Sequence, residues 1–299
     1  MIEISVRGVL FLTLMFSQAV LAEVKIPSAL VSGDWLIKQS SQKGLAVLDV
    51  QEAALFARHH VPGAINWPFS QWRSDADGKP PKSLLPLEKM TKRLGQLGID
   101  AATPVVIVAT GTGAGDLAAS ARVFWTLKVL GHENIAILDG GLVSYVNRYA
   151  GSYESGKADK RLPTVYRAKP NLSLLATADW LKGAKVPRLD ARSLEEHVGL
   201  IGGEGERLGT LHGALHLPFD WLVEPNGSLK SAKKLQALFG YAGLDKQGTV
   251  HFCHTGNRAS LTWFVDYAVL GNQSARLYDG SMLEWGKTTD LLIEQKVKP

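Results

Sequence analysis

The apolar positions along the chain fall into two kinds of run. Short, nearly uninterrupted apolar segments of strand length stand at residues 45–50 (LAVLDV), 105–109 (VVIVA), 186–191 (VPRLDA) and 249–253 (TVHFC). Longer stretches carry apolar residues at helical spacing, at 118–129 (AASARVFWTLKV) and 260–270 (SLTWFVDYAVL). The second is apolar nearly all round and is expected to be buried. Short strands apolar on both faces, alternating with helices, predict an α/β fold built on parallel sheets flanked by helices.

The pattern occurs twice. Leu48-Asp49 and Leu189-Asp190 each end a short strand, and each is followed by a small or apolar residue. Gly63-Ala64 precedes Pro68-Phe69, and Gly213-Ala214 precedes Pro218-Phe219 at the same spacing. Val129-Leu130-Gly131 and Leu138-Asp139-Gly140 match Val269-Leu270-Gly271 and Tyr278-Asp279-Gly280. The order is conserved between the halves, so the chain reads as a duplication of one domain-sized unit. The segment from Ala150 to Arg167 is rich in Gly, Ser, Lys and Asp and lacks apolar periodicity, which sets a linker at residues 151–168 between domains at 23–150 and 169–299. Residues 75–83, with Pro80-Pro81, and 199–209, rich in glycine, read as loop insertions.

Residues 1–22 are read separately. Arg7, the apolar stretch from Val9 to Phe16, and Val20 and Ala22 ahead of Glu23 have the layout of a secretory signal peptide. The expected location of the mature chain is therefore periplasmic or secreted, with no membrane attachment after cleavage. The 299 residues suffice for two ordinary domains. Lys and Arg number 33 against 28 Asp and Glu, a net charge of +5 without a dense basic run. That balance argues against a nucleic-acid partner and for a surface biased toward anions. A single cysteine excludes an internal disulfide framework and any multi-cysteine metal site.

That cysteine, Cys253, ends an apolar strand and opens the run Cys253-His254-Thr255-Gly256-Asn257-Arg258, after which a helix begins. In an open α/β sheet, ligands bind at the carboxyl ends of the strands. A loop wrapped between strand end and helix start points backbone N–H groups inward, which lowers a thiol's pKa and stabilises an anion. Gly256 permits the tight loop and Arg258 adds a fixed cation. His251 and His254 flank the cysteine but lie poorly for convergence on a metal, because side chains alternate across a strand. A buried, inert cysteine at a strand end is the alternative to a functional one. The first-domain loop, Thr110-Gly-Thr-Gly-Ala-Gly115, contains no cysteine and lacks the full G-x-G-x-x-G spacing of a dinucleotide site.

The run Cys253-x-x-Gly256-x-Arg258 after a strand, with Leu189-Asp190-Ala191-Arg192 and His212-Gly213-Ala214 upstream, resembles the rhodanese sulfurtransferases. The doubled layout resembles their two-domain members, the thiosulfate and 3-mercaptopyruvate sulfurtransferases. The resemblance implies two tandem rhodanese-like domains, the first (23–150) inactive and the second (169–299) catalytic. The first half agrees, with Gln51 where the second has Arg192 and no cysteine in its loop.

The resemblance further implies attack by the Cys253 thiolate on the outer sulfur of a small anionic donor such as thiosulfate. A persulfide forms and is passed to cyanide, a thiol or a protein acceptor, with no cofactor and no metal. Arg192 and Arg258 are the candidate donor-binding cations. His254, Thr255, Gly256 and Asn257 line the loop, and Asp190 braces it or Arg192. His216 and Trp221 stand near the entrance or pack beside Pro218-Phe219. His254-Thr255 matches neither the cationic loop of thiosulfate-type members nor the Gly-Ser of the mercaptopyruvate type, and Arg258 tips the choice to thiosulfate. 3-Mercaptopyruvate and a non-turnover sulfur carrier remain the alternatives. A phosphatase of related fold needs five residues between its cysteine and arginine, where this chain has four and Ala259 in the arginine's place.

Overall fold

The computed structural model describes residues 24–298 except 40, 41, 43, 75–81, 159, 204, 205, 245–247 and 289. The signal peptide expected at residues 1–22 and most of the 75–83 insertion lie outside these residues. Among the described residues, no helix is long and apolar enough to cross a membrane.

Ten short strands form two five-stranded sheets. The first holds β1 (Leu30–Val31), β2 (Ala46–Asp49), β3 (Ile65–Asn66), β4 (Val105–Val108) and β5 (Ile135–Leu138), in the order β1-β5-β4-β2-β3, all parallel. The second holds β6 (Leu175–Ala176), β7 (Arg188–Asp190), β8 (Leu215–His216), β9 (Val250–Phe252) and β10 (Arg276–Tyr278), in the order β6-β10-β9-β7-β8, again all parallel. The two orders are the same, so the fold is two tandem α/β units flanked by helices. The apolar runs read from sequence become the central strands, buried on both faces because helices cover both.

Two differences from the sequence reading have local causes. The helix expected at residues 118–129 begins one turn earlier, at Ala114, because Gly113 serves as the N-cap and Asp116 suits the first turn, positions that give no signal in apolar spacing. The second helix runs as Asn257–Phe264 and then widens into a π-turn at Val265–Val269, which apolar spacing alone does not signal.

The helices Ala114–Val129 and Asn257–Phe264 pack on each other between the sheets. Phe124 meets Phe264 edge-on at 5.0 Å and Trp263 at 6.4 Å between ring centroids. One apolar core therefore runs continuously from Leu48 and Ile107 through this seam to Leu189 and Leu277. The docking is nearly two-fold: Leu84 N–H donates to Asp279 Oδ2 (2.7 Å), and Leu229 N–H donates to Asp139 Oδ1 (2.8 Å). The polar segment between the domains is strapped to the first. Arg161 donates to the carbonyls of Leu45 and Gly98, Thr164 N–H to Gly95 O, and Tyr166 is buried against His132.

Candidate active site

Cys253 leaves β9 at the carboxyl edge of the second sheet and is 1% exposed. Its peptide is held on both sides, its N–H donating to Ser281 Oγ (3.1 Å) and its carbonyl accepting from Met282 N–H (3.0 Å). The loop then turns through Gly256 at φ +74°, where a Cβ would lie 2.6 Å from Arg122 Nη1 and 2.9 Å from Asp279 O. Glycine is required there by both conformation and space.

The N–H groups of His254, Thr255, Gly256, Asn257 and Arg258 donate to no described residue. They form a cradle of free donors at a helix start, beside the chain's one thiol. The first domain shows the same loop closed. Ala109 and Thr110 occupy the places of Cys253 and His254, because Leu142 and Val143 N–H bind their carbonyls just as Met282 and Leu283 bind those two. There, Gly111 N–H (3.0 Å), Thr112 N–H (2.9 Å) and Thr112 Oγ1 (2.8 Å) all donate to Asp116 Oδ2. Asp116 is the third residue of its helix, and Ala259 is the third residue of the other. One domain fills its anion cradle with its own carboxylate and the other leaves it open.

The arginines singled out in the sequence are both committed to carboxylates. Arg192 is buried and grips Asp190 through Nε (2.9 Å) and Nη2 (2.7 Å), with Nη2 also donating to Gly209 O. Nη1 lies outside these bonds. Asp190 also accepts from Thr210 Oγ1 (2.8 Å) and lies 3.1 Å from His197 Nδ1. Burial alone would raise its pKa, but bonds from His197, Arg192 and Thr210 and the Arg192 charge hold it well below the usual carboxylate range. Arg258 makes a two-pronged pair with Glu196 (2.6 and 2.7 Å). Burial would lower the guanidinium pKa, yet the bonds to Glu196 and the charges of Cys253, Glu196 and Asp190 raise it.

His254 Nδ1 lies 3.5 Å from the buried Glu206, which the glycine-rich 199–209 segment brings over the loop. Thr255 O accepts from Arg73 of the first domain (2.7 Å), and Asn257 Oδ1 is buried without a partner. His216 donates through Nε2 to Arg192 O (2.9 Å) and stacks on His197 at 4.3 Å, while Trp221 remains exposed. His251 belongs to the core, bonded to Thr262 and Asp266. Among the described residues, no cluster of three metal-ligating side chains occurs.

Sequence reading missed Glu196, Glu206, Ser281 and Asp279. Only Glu196 carried a local signal, the Ser193-x-x-Glu196 spacing of a capping box, which the structure shows closed.

The pair Asp49–Gln51 stands in the first domain where Asp190–Arg192 stands in the second. Asp49 is buried like Asp190 but faces Gln51 Nε2 (2.9 Å) instead of a guanidinium. Burial raises it to about 6, against lowering by the Gln51 bonds and His60. The folded state therefore holds a proton that the unfolded chain has released between about pH 4 and 6. Stability falls as pH rises through that window, by about 3 kcal/mol at most. Gln51→Arg supplies the missing cation and is expected to remove that decline. Urea unfolding at the two ends of the window tests this, and an unchanged difference would refute it.

A model of the Rhodanese-like domain family matches residues 32–148. The chain is 30% identical over 277 residues to a Mycobacterium bovis protein named "Putative thiosulfate sulfurtransferase 1", covering 89% of this chain and 97% of that protein. It is also 30% identical over 289 residues to the "Sulfur carrier protein TtuD" of Thermus thermophilus, covering 89% and 96%. Among solved structures, the anaerobic ergothioneine biosynthesis enzyme of Chlorobium limicola superposes with a TM-score of 0.81 at 18% identity, covering 90% of this chain and 71% of that one. YnjE superposes at 0.78 with 21% identity, covering 90% and 69%. These two likenesses concern the fold.

Proposed function

We propose, because this chain belongs to the rhodanese family of sulfurtransferases, that it moves sulfane sulfur from thiosulfate to a thiophilic acceptor through a persulfide on Cys253. The Cys253 thiolate attacks the outer sulfur of thiosulfate. The sulfur–sulfur bond of the donor breaks, sulfite leaves with the electron pair, and a Cys253 persulfide anion remains. Cyanide or a thiolate then attacks the outer sulfur and the thiolate returns. No outside oxidant or reductant enters the balance.

The observation that carries this reading is the open cradle of five N–H groups beside the chain's one thiol, set against the same cradle closed by Asp116 in the domain without it. Such donors favour the thiolate and the persulfide anion over their protonated forms. Two alternatives have a specific support each. The pairing of Arg192 with Asp190 and of Arg258 with Glu196 lowers the positive charge available and favours the monoanion 3-mercaptopyruvate over a dianion as donor. The relative named a sulfur carrier supports delivery to a protein acceptor.

Mass spectrometry of the protein after exposure to each donor tests the reading. A gain of one sulfur on the Cys253 peptide with thiosulfate is expected. A gain with mercaptopyruvate alone reassigns the donor, and no gain with either refutes the persulfide. Ala259→Asp places a carboxylate at the helix position Asp116 holds in the first domain. It is expected to cut the persulfide yield at least about tenfold, by occupying the donors and repelling the thiolate. An unchanged yield in the folded variant would remove the cradle from the argument.

A further inference from the structure

We propose that the domain lacking the nucleophile positions Cys253 through a relay of three side chains, Arg122, Asp279 and Ser281. The proposal rests on the reading of Cys253 as the sulfur-bearing residue.

Arg122 belongs to the first-domain helix Ala114–Val129, and its side chain is fully buried in the seam between the domains. It lies over Trp125 at 4.7 Å and pairs through Nη2 with Asp279 of the second domain. Its Nε and Nη1 are buried without a partner. A buried guanidinium with one carboxylate and two idle nitrogens is a poor device for stability, and apolar residues of similar volume commonly serve as well or better. What the pair does is fix Asp279, whose other oxygen accepts Leu84 N–H, again from the first domain (2.7 Å).

Asp279 opens the turn that grips the nucleophile. Two residues on, Ser281 Oγ accepts the Cys253 N–H (3.1 Å) and donates to Tyr278 O (2.8 Å). Met282 and Leu283 N–H then bind the carbonyls of Cys253 and His254 at 3.0 and 2.9 Å. The direction of the loop donors therefore depends on where this turn sits, and the first domain sets it.

The duplicated half marks which parts serve the site. Asp139 holds the corresponding place and binds Leu229 N–H, and among the described residues it makes no direct ion pair, Arg148 acting on it only through its charge. Gly141 holds the place of Ser281 and takes the left-handed conformation, φ +60°, as glycine does freely. Ser281 takes φ +51°, a conformation costly to any residue with a Cβ. The strained Ser281 of the second domain and the buried Arg122 of the first both converge on the turn that holds Cys253. A hydroxyl kept at a place where glycine would be relaxed is kept for its bond to Cys253.

Two readouts separate positioning from plain structural support. The thiolate absorbance of Cys253, titrated against pH with a Cys253→Ala control subtracted, reports the nucleophile without any sulfur donor. Steady-state rates with thiosulfate report kcat and KM separately. Ser281→Gly relieves the strain while losing two hydrogen bonds of comparable worth, so its melting temperature is expected to stay close to that of the parent. Its absorbance titration is expected to depart from that of the parent, and its kcat to fall about tenfold with KM within about twofold. Arg122→Met combined with Asp279→Asn removes one cation and one anion together, and is expected to act the same way. Arg122→Lys, which keeps the cation, is expected to recover most of the parent titration.

A parent-like titration and kcat in Ser281→Gly would overturn the proposal, whether or not the double variant folds. If the parent forms no persulfide, the functional reading fails, and the absorbance titration still decides the relay.

Discussion

Cys253→Ser is expected to abolish sulfur transfer and leave the fold in place. A hydroxyl is a far weaker nucleophile at neutral pH and cannot carry a stable persulfide, so cyanide-dependent thiocyanate formation should drop to the background without enzyme. The effect on folding should be small by comparison. Cys253 is 1% exposed and packs in the main core, and serine is close to it in size but buries a hydroxyl. That costs about 1–3 kcal/mol when the hydroxyl lacks a good partner. The chain has one cysteine, so no second thiol can take over the chemistry. Thiocyanate assays and thermal unfolding of the same preparation check both halves. Parent-like turnover in the variant would remove Cys253 from the mechanism altogether.

Much of this site was legible because the chain contains it twice. The matching strand ends placed Ala109 at the position of Cys253 and Gln51 at that of Arg192, and the hydrogen-bond register of the two sheets agrees. The loop chemistry around Cys253 depends on neighbours only a few residues apart, which sequence shows directly. Charge pairing depends on distant partners, which it does not. Arg192 reads as a donor-binding cation with Asp190 bracing it or the loop, and that partner, only two residues away, does grip it. Arg258 read as the loop's own cation, but Glu196, 62 positions away, claims both ends of its fork. Arg122 and Asp279 lie 157 positions apart on different domains, so their pair exists only after docking. The polar segment at residues 151–168 adds further distant pairings, since Arg161 and Tyr166 tie it to the first domain.

Residues 169–299 expressed alone are expected to be insoluble or inactive. The apolar seam gives the reason. Helix Asn257–Phe264, which starts at the cradle, has Leu261, Trp263 and Phe264 fully buried, and its aromatic partner Phe124 belongs to the first domain. Baring the two aromatic rings on this side of the seam forfeits about 2–3 kcal/mol each. That sum is a large part of the 5–15 kcal/mol typical of a whole domain. The fragment would also lose the Arg73 bond to Thr255 O, the Leu84 bond to Asp279 and the Arg122 pair, all of which hold the Cys253 loop from the first-domain side. Exposed aromatic surface of this kind favours aggregation or self-association. Size-exclusion chromatography, circular dichroism and the thiocyanate assay on the fragment decide the point. A soluble monomer with the full activity of the parent would show that the first domain neither completes the core nor supports the Cys253 loop.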